Sequence, residues 1–405
     1  MEAYLDNSAT TCLCPTAKEK TVEAINKFYG NPSSLHSIGT AASRQLEAAR
    51  AAVAATLSCE SEEIVFTNSG TLANNAAIFG AAHALKRRGN RIVTTAIEHP
   101  SVLECMKALE KEGFEVIYLR PDKYGRINRR DLMQAVNAKT VLVSMMYVNN
   151  EVGSILPVEA ARAAVRAAKA PALIHCDAVQ AYGKLPVKPS RLGVDLLTAS
   201  GHKINGPKGV GFLYVRKGVR LAPYIYGGGQ EGKIYSGTQP MPAIMGLWGA
   251  VEELPDPNVQ LEKTRLLRDY FVSQTVNIEG VAVNSCDEAL PYIINISLPG
   301  HPSQTVLNFL SERGIYVSGG SACSKGHRSH VLTAMGLECT LNKGFVFVLF
   351  LFFLSSLREL KVFICRFLCC IFCTITVYSM SFCIKCIRVW GCKWNFIHIL
   401  SKYLL

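Results

Sequence analysis

The chain has 405 residues, 49% of them hydrophobic and 18% charged, with a formal net charge of +12. That is long enough for two domains and a large core, and the composition excludes a disordered or low-complexity chain. Residues 341–405 hold eight Lys/Arg and the single acid Glu359 and so contribute +7; the remaining +5, with no basic helix interleaved with aromatics, speaks against a nucleic-acid partner.

The chain opens Met1-Glu2-Ala3-Tyr4-Leu5-Asp6, with neither a basic-then-apolar leader nor an Arg-rich amphipathic one, which predicts a cytoplasmic protein. From about residue 15 to 254, helices and strands alternate. The Ala-rich run 40–56 predicts a helix, Ile64–Thr67 a buried strand, Asn74–Arg87 a helix and Arg91–Thr95 a strand. Pro100–Glu112 (helix), Glu115–Leu119 (strand), Thr140–Met145 (strand), Val158–Ala168 (helix) and Leu173–Cys176 (strand) continue the series. Leu196–Thr198 and Gly211–Val215 add two further strands. Such alternation predicts an α/β fold with a mostly parallel sheet, in which ligands gather at the carboxyl ends of strands. Pro255-Asp256-Pro257 marks a boundary. Beyond it come the helix Val259–Val276, a strand near Tyr292–Ile296, the helix Pro302–Arg313 and the run Ile315–Val317, which read as a smaller α+β domain. The expected division is a large domain over 15–254, a small domain from 1–14 and 255–340, and an atypical apolar tail over 341–405. The tail contains the run 345–354, Phe-Val-Phe-Val-Leu-Phe-Leu-Phe-Phe-Leu, and lacks the periodicity of a soluble helix or strand. Residues 362–384 approach the roughly 20 apolar residues needed to span a bilayer, but Arg366 lies inside, and no membrane partner is expected. Seven of the fifteen cysteines lie in this tail and the rest scatter from Cys12 to Cys339, as reduced thiols would. Cys370-x-x-Cys373 and Cys383-x-x-Cys386 have the CxxC spacing of metal-binding zinc sites, but the spacer is short and the surroundings apolar, so no metal ligand is assigned.

Lys203 stands out, in Ser200-Gly201-His202-Lys203-Ile204-Asn205-Gly206-Pro207. A lysine among small residues, with the acid Asp177 delivered by a preceding strand, is what a pyridoxal 5'-phosphate (PLP) enzyme needs: the amine forms the Schiff base and the carboxylate pairs with the pyridinium nitrogen. Gln180 could hydrogen-bond the ring's phenolic oxygen. His99, at a strand end before a helix, could stack on a planar cofactor or move protons. Asn68-Ser69-Gly70-Thr71-Leu72-Ala73-Asn74-Asn75 runs from a strand into a helix and offers a phosphate site, with Ser200, His202 and Thr238 as further donors. Cys323 lies in the Gly/Ser-rich segment Gly319-Gly320-Ser321-Ala322-Cys323-Ser324-Lys325-Gly326-His327-Arg328, where Lys325, His327 and Arg328 favour a thiolate. Taken singly, each has a plain structural reading: a surface lysine, a capping aspartate, a turn histidine, an inert turn cysteine.

Together these blocks resemble the NifS/IscS-like cysteine desulfurases of the class V aminotransferase group, which have the type I PLP-dependent transferase fold. The resemblance rests on Tyr4-Leu5-Asp6-Asn7-Ser8-Ala9-Thr10-Thr11, Gly30-Asn31-Pro32-Ser33-Ser34-Leu35-His36, Glu98-His99, Val148-Asn149-Asn150-Glu151-Val152-Gly153, His175-Cys176-Asp177-Ala178-Val179-Gln180, Ser200-Gly201-His202-Lys203 and Gly319-Gly320-Ser321-Ala322-Cys323, and runs from residue 4 to about 337. It implies removal of sulfur from L-cysteine, with Lys203 taking the Cα proton and the Cys323 thiolate attacking the substrate sulfur. The products are L-alanine and a Cys323 persulfide. The persulfide would pass to a sulfur-acceptor protein for iron–sulfur cluster assembly or for tRNA or cofactor thiolation. The resemblance also implies substrate contacts from Asn7, Ala9, Thr10, His36 and Asn150, phosphate contacts from Gly70, Thr71, Ser200 and His202, and Thr238 supplied by the other subunit of a homodimer.

The chain departs from the family at Leu72, where Glu is usual, and at Tyr235, where Arg commonly precedes Ser-Gly-Thr. The strand bearing an Arg for the substrate carboxylate is not found after Leu337; Arg358 has the wrong context. Selenocysteine lyase, on the same scaffold, and a catalytically impaired desulfurase homologue are the alternatives.

Overall fold

A computed structural model describes residues 2–276, 281–299, 303–319, 329–337 and 344–350. In chain order the strands are β1 (Ala3–Tyr4), β2 (Ile64–Thr67), β3 (Arg91–Thr95), β4 (Glu115–Leu119), β5 (Thr140–Met146), β6 (Leu173–Asp177), β7 (Leu196–Ser200), β8 (Gly211–Val215), β9 (Ala282–Val283), β10 (Ile293–Pro299), β11 (Ile315–Tyr316) and β12 (Gly344–Phe350). The helices are α1 (Pro15–Lys27), α2 (Ser37–Leu57), α3 (Gly70–Leu85), α4 (Pro100–Lys111), α5 (Arg129–Ala135), α6 (Ala160–Ala167), α7 (Pro189–Leu192), α8 (Met241–Glu252), α9 (Pro257–Thr275), α10 (Ser303–Ser311) and α11 (His330–Ala334).

The main sheet has the order β2-β8-β7-β6-β5-β3-β4. All neighbours are parallel except β8, which runs antiparallel to both β2 and β7. The central strands contribute side chains to two cores, one on each face of the sheet. Ile64, Phe66, Val143, Met145, Leu197, Ala199 and Phe212 join one core, while Val65, Leu142, Leu196 and Leu213 join the other. Helices therefore cover both faces, and β5, Thr-Val-Leu-Val-Ser-Met-Met, is buried at every position. Helix α3 buries small side chains (Ala73, Ala76, Ala77, Ala81, Ala82) along most of its length, which brings its axis close to the sheet.

Helix α3 begins at Gly70, four residues before the sequence suggested, because Ser69 caps it by accepting the amide of Leu72 at 3.1 Å. The Pro-Asp-Pro boundary is the start of α9: Asp256 caps the amide of Asn258 at 2.8 Å and Pro257 occupies the first helical position. A further core gathers Leu267 and Phe271 of α9, Val306 and Leu310 of α10, and Ile294, Ile296 and Leu298 of β10. Leu5 joins it, since β1 pairs parallel with β11. The N-terminal strand is thus tied to the later part of the chain, and residues 6–11 run from it toward the carboxyl end of β7.

One expectation is corrected. The run beginning at residue 345 is not without a place in regular structure: β12 pairs antiparallel with β10, from Gly344 opposite Pro299 to Phe350 opposite Ile293. An unbroken apolar run fits a strand as well as a buried helix, and periodicity cannot separate them; pairing with β10 does. Among the described residues no helix is long and apolar enough to cross a membrane. The candidate span 362–384 lies outside them.

Candidate active site

The carboxyl ends of β5, β6 and β7 and the N-termini of α3 and α4 meet at one cavity. Asp177, the last residue of β6, is 5% exposed. Its Oδ1 accepts the Val179 amide at 3.0 Å and its Oδ2 accepts an amide N–H of Asn74 at 2.8 Å. Asn74 comes from the second turn of α3. Its other amide hydrogen goes to Ser101 Oγ at 2.9 Å, and its Oδ1 accepts the Thr198 hydroxyl at 2.5 Å. The carboxylate is thereby fixed from two sides.

Lys203 ends the single helical turn Gly201–Lys203 that follows β7. Its Nζ donates to the carbonyls of Ser8 and Ala9, the latter at 2.8 Å. The Ser8 carbonyl also accepts Gln180 Nε2–H at 3.0 Å, and Gln180 Oε1 accepts from Lys184 Nζ at 3.1 Å. This hydrogen bonding settles which end of the Gln180 amide faces which neighbour. Lys184 is buried, and burial first, then the nearby Lys203 charge, push its pKa well below the ordinary lysine value.

His99 is the N-cap of α4; its Nδ1 accepts the Ser101 amide at 3.1 Å. It caps a helix, a structural role beyond the turn histidine of the plain reading, and it is also a cavity-lining imidazole. Burial lowers its pKa, opposed by Asp177 and aided by Lys203 and His330. Burial, then Lys203, also brings His202 down to about 4, so at neutral pH it can donate a hydrogen bond but carries no positive charge. Beneath the cavity Glu98 is wholly buried, accepting Thr95 Oγ1–H at 2.7 Å and the Met146 amide at 2.9 Å. Burial lifts its carboxyl to about 8.

The N-terminus of α3 has the chemistry of an anion site. Ser200 Oγ is buried with no hydrogen-bond partner among the described residues. A Cβ added to Gly70 would lie 3.0 Å from Val179 Cγ2 and 3.2 Å from Ser200 Cβ, so a side chain there would crowd the approach to that hydroxyl. An orphaned buried hydroxyl beside the first turn of a sixteen-residue helix suits a phosphate oxygen. Tyr235 donates its hydroxyl to Asn68 Oδ1 at 2.9 Å, which braces the segment leading into this turn.

The aminotransferase class-V family profile matches residues 3–347. This chain belongs to that family. A cysteine desulfurase IscS of Dictyoglomus turgidum is 40% identical over 348 residues, 85% of this chain and 88% of the relative. A cysteine desulfurase of a Nostoc species is 41% identical over 347 residues, covering 84% and 86%. Among solved structures, a NifS-like protein superposes with a TM-score of 0.83 at 38% identity, covering 90% of this chain and 98% of its own. SspA in complex with cysteine superposes with a TM-score of 0.75 at 34% identity, covering 86% and 99%. The cofactor of this class-V aminotransferase is PLP, and the unpartnered Ser200 hydroxyl and the open approach over Gly70 fit its phosphate.

Of the residues singled out from sequence, Ala9, Gly70, Thr71, His99, Asn150, Asp177, Gln180, Ser200, His202 and Lys203 line the same cavity. Asn7, Thr10, His36 and Thr238 do not. Asn7 is buried and donates to the Tyr4 carbonyl at 3.2 Å; Thr10 approaches only through its hydroxyl at 3.3 Å from His202 Nδ1. His36 caps α2 by accepting the Gly39 amide, and Thr238 is exposed. Cys323, Lys325, His327, Arg328, Arg358 and the two CxxC pairs lie outside the described residues. The cysteines that are described are free thiols; burial pushes Cys59 and Cys105 up to about 12 and Cys176 well upward, so these three are not thiolates at neutral pH. Sequence reasoning missed Ser8, Asn74 and Ser101. Ser8 and Asn74 fell inside quoted blocks and Ser101 two residues beyond His99, but nothing in their spacing distinguishes them from helix-face or capping residues.

Proposed function

We propose that this chain is a PLP-dependent cysteine desulfurase that converts L-cysteine to L-alanine and leaves the sulfur as a persulfide on Cys323. The observation that carries the reading is the meeting of Lys203, Asp177 and the α3 N-terminus at one cavity, in a chain about two-fifths identical over most of its length to named cysteine desulfurases. Gly70, Thr71 and Ser200 would hold the phosphate, Asp177 the ring nitrogen and Gln180 the phenolic oxygen, with His99 against the ring face and Lys203 as the covalent anchor. Bound there, the cofactor supplies the electron sink that lets bonds at the substrate's Cα and Cβ break.

The remaining work falls to the chain's own side chains. Asp177, clamped by Asn74 and Val179, presents a fixed carboxylate at the strand end. Lys203 Nζ, once released from the Ser8 and Ala9 carbonyls, takes the proton from the substrate Cα. Cys323, as thiolate, attacks the substrate sulfur; the carbon–sulfur bond breaks, the new sulfur–sulfur bond forms, and the carbon skeleton leaves as alanine after protonation. Asn150 and Ala9, which line the cavity, are the proposed substrate contacts; Asn7, Thr10 and His36, which the resemblance also implied, do not line it and are not carried forward. A homodimer would bring Thr238 of one subunit to the other's phosphate. The persulfide's acceptor would be a soluble sulfur-carrier or iron–sulfur scaffold protein in the cytoplasm.

The test is alanine formation from L-cysteine by the purified, PLP-loaded protein and by Lys203→Ala. Equimolar alanine and sulfide in the presence of a thiol reductant, with at least a thousandfold loss in Lys203→Ala, is the expected result. Alanine formation that survives the substitution would overturn the assignment of Lys203.

A further inference from the structure

We propose that Ser101 and Asn74 are positioning residues that lock the His99 ring in its Nε2–H form and join it to Asp177 through one unbroken run of hydrogen bonds. The Ser101 amide can only donate, and it points at His99 Nδ1 from 3.1 Å, so Nδ1 carries a lone pair rather than a proton. Ser101 Oγ lies 2.8 Å from the same Nδ1 and must therefore donate its hydroxyl hydrogen to it. That leaves the Oγ lone pairs for Asn74 Nδ2–H at 2.9 Å. The Asn74 amide cannot be flipped: Oδ1 accepts the Thr198 hydroxyl, and a flip would set Oδ1 against Asp177 Oδ2. Each group has one permitted role, and the direction of every hydrogen bond from Thr198 and Asp177 to His99 is settled.

Two consequences follow for the ring. Its neutral form carries its proton on Nε2. A second proton would have to enter at Nδ1, where two donors already point, so these contacts favour the neutral imidazole and act with burial. Among the described residues, the charged or titratable groups acting on His99 come from other elements: Asp177 at the end of β6 favours protonation, while Lys203 after β7 and His330 of α11 oppose it. The lock stands on geometry alone. Its use, a histidine that enters the reaction neutral with its proton at Nε2, rests on the desulfurase reading.

The test is a long-range 1H–15N correlation spectrum of the 15N-histidine-labelled holoenzyme across pH 5 to 8.5, with the His99 signals identified by their loss in His99→Asn. In the wild type, Nδ1 should appear as an unprotonated nitrogen and Nε2 as protonated, with the ring still neutral below the ordinary histidine midpoint of about 6.5. Ser101→Ala should move the His99 midpoint up by about 0.5–1 pH unit, and Ser101→Thr, which keeps the hydroxyl, should return it to the wild-type value. Asn74→Ala should raise it by less, since the Ser101 hydroxyl remains. A wild-type ring protonated at Nδ1 would overturn the proposal whatever becomes of the variants, and so would an unshifted midpoint in folded Ser101→Ala. Neither readout depends on turnover, so a failure of the desulfurase assignment would be seen separately.

Discussion

Glu98 shows how the site's surroundings bear on stability. Its folded-state pKa of about 8 stands above the ordinary carboxyl value of 4.5, because burial outweighs the hydrogen bonds from Thr95 and Met146. A group raised in this way binds a proton in the folded state that the unfolded chain has released, so its contribution is fully present below pH 4.5 and is lost as pH rises through 8. His175 works in the opposite sense: burial brings it to about 4 from 6.5, and its contribution is present above 6.5 and lost as pH falls through 4. The two oppose each other between pH 4.5 and 6.5, and Glu98 alone of the pair tilts the curve from 6.5 to 8, by up to ~1.4 kcal/mol per pH unit. Urea unfolding of Glu98→Gln should therefore show a flatter stability profile over pH 6.5–8 than the wild type; parallel profiles would mean that Glu98 is already ionised there. At this scale the sequence revealed the residues that end apolar strands or sit among small neighbours, such as Lys203 and Asp177. Asn74 and Ser101 stayed hidden because their contact joins two helix N-terminal regions 27 residues apart, and no local pattern encodes it.

The first turn of α3 is the element on which cofactor retention depends most. A methyl at position 70 would meet Val179 Cγ2 at 3.0 Å and Ser200 Cβ at 3.2 Å, in a turn where Ser69 already fixes the helix start. Gly70→Ala should fold, since α3 tolerates alanine along its length, but should bind PLP about tenfold more weakly, a loss of ~1.4 kcal/mol. Fluorescence titration of the apoprotein with PLP measures this, and an unchanged dissociation constant would remove Gly70 from the phosphate site. Strands bounded by polar or turn residues, β2, β3, β4 and β8, were legible to the residue. Helix α8, Met-Pro-Ala-Ile-Met-Gly-Leu-Trp-Gly-Ala-Val-Glu, was not, because it packs against both α1 and α2 and has too little polar surface to show a helical period. β12 was missed for the related reason that its run is uniformly apolar, and its pairing depends on β10, some 50 residues earlier.

Across the whole molecule, the α/β class and the mostly parallel sheet followed from the alternation of elements, whereas the antiparallel β8 did not, since strand direction is set by how the chain returns and not by the strand's own residues. The family match reaches residue 347, into β12. Beyond it, residues 360–405 contain no acidic side chain. We propose that this chain, with that C-terminal sequence, carries substrate sulfur on Cys323. The most direct test is a single turnover of the PLP-loaded protein with L-[35S]cysteine in the absence of reductant, followed by rapid desalting and non-reducing electrophoresis. About one label per chain is expected, released by dithiothreitol and absent from Cys323→Ala although that variant still binds PLP. Label of equal amount on Cys323→Ala, or none on the wild type while PLP is bound, would contradict it.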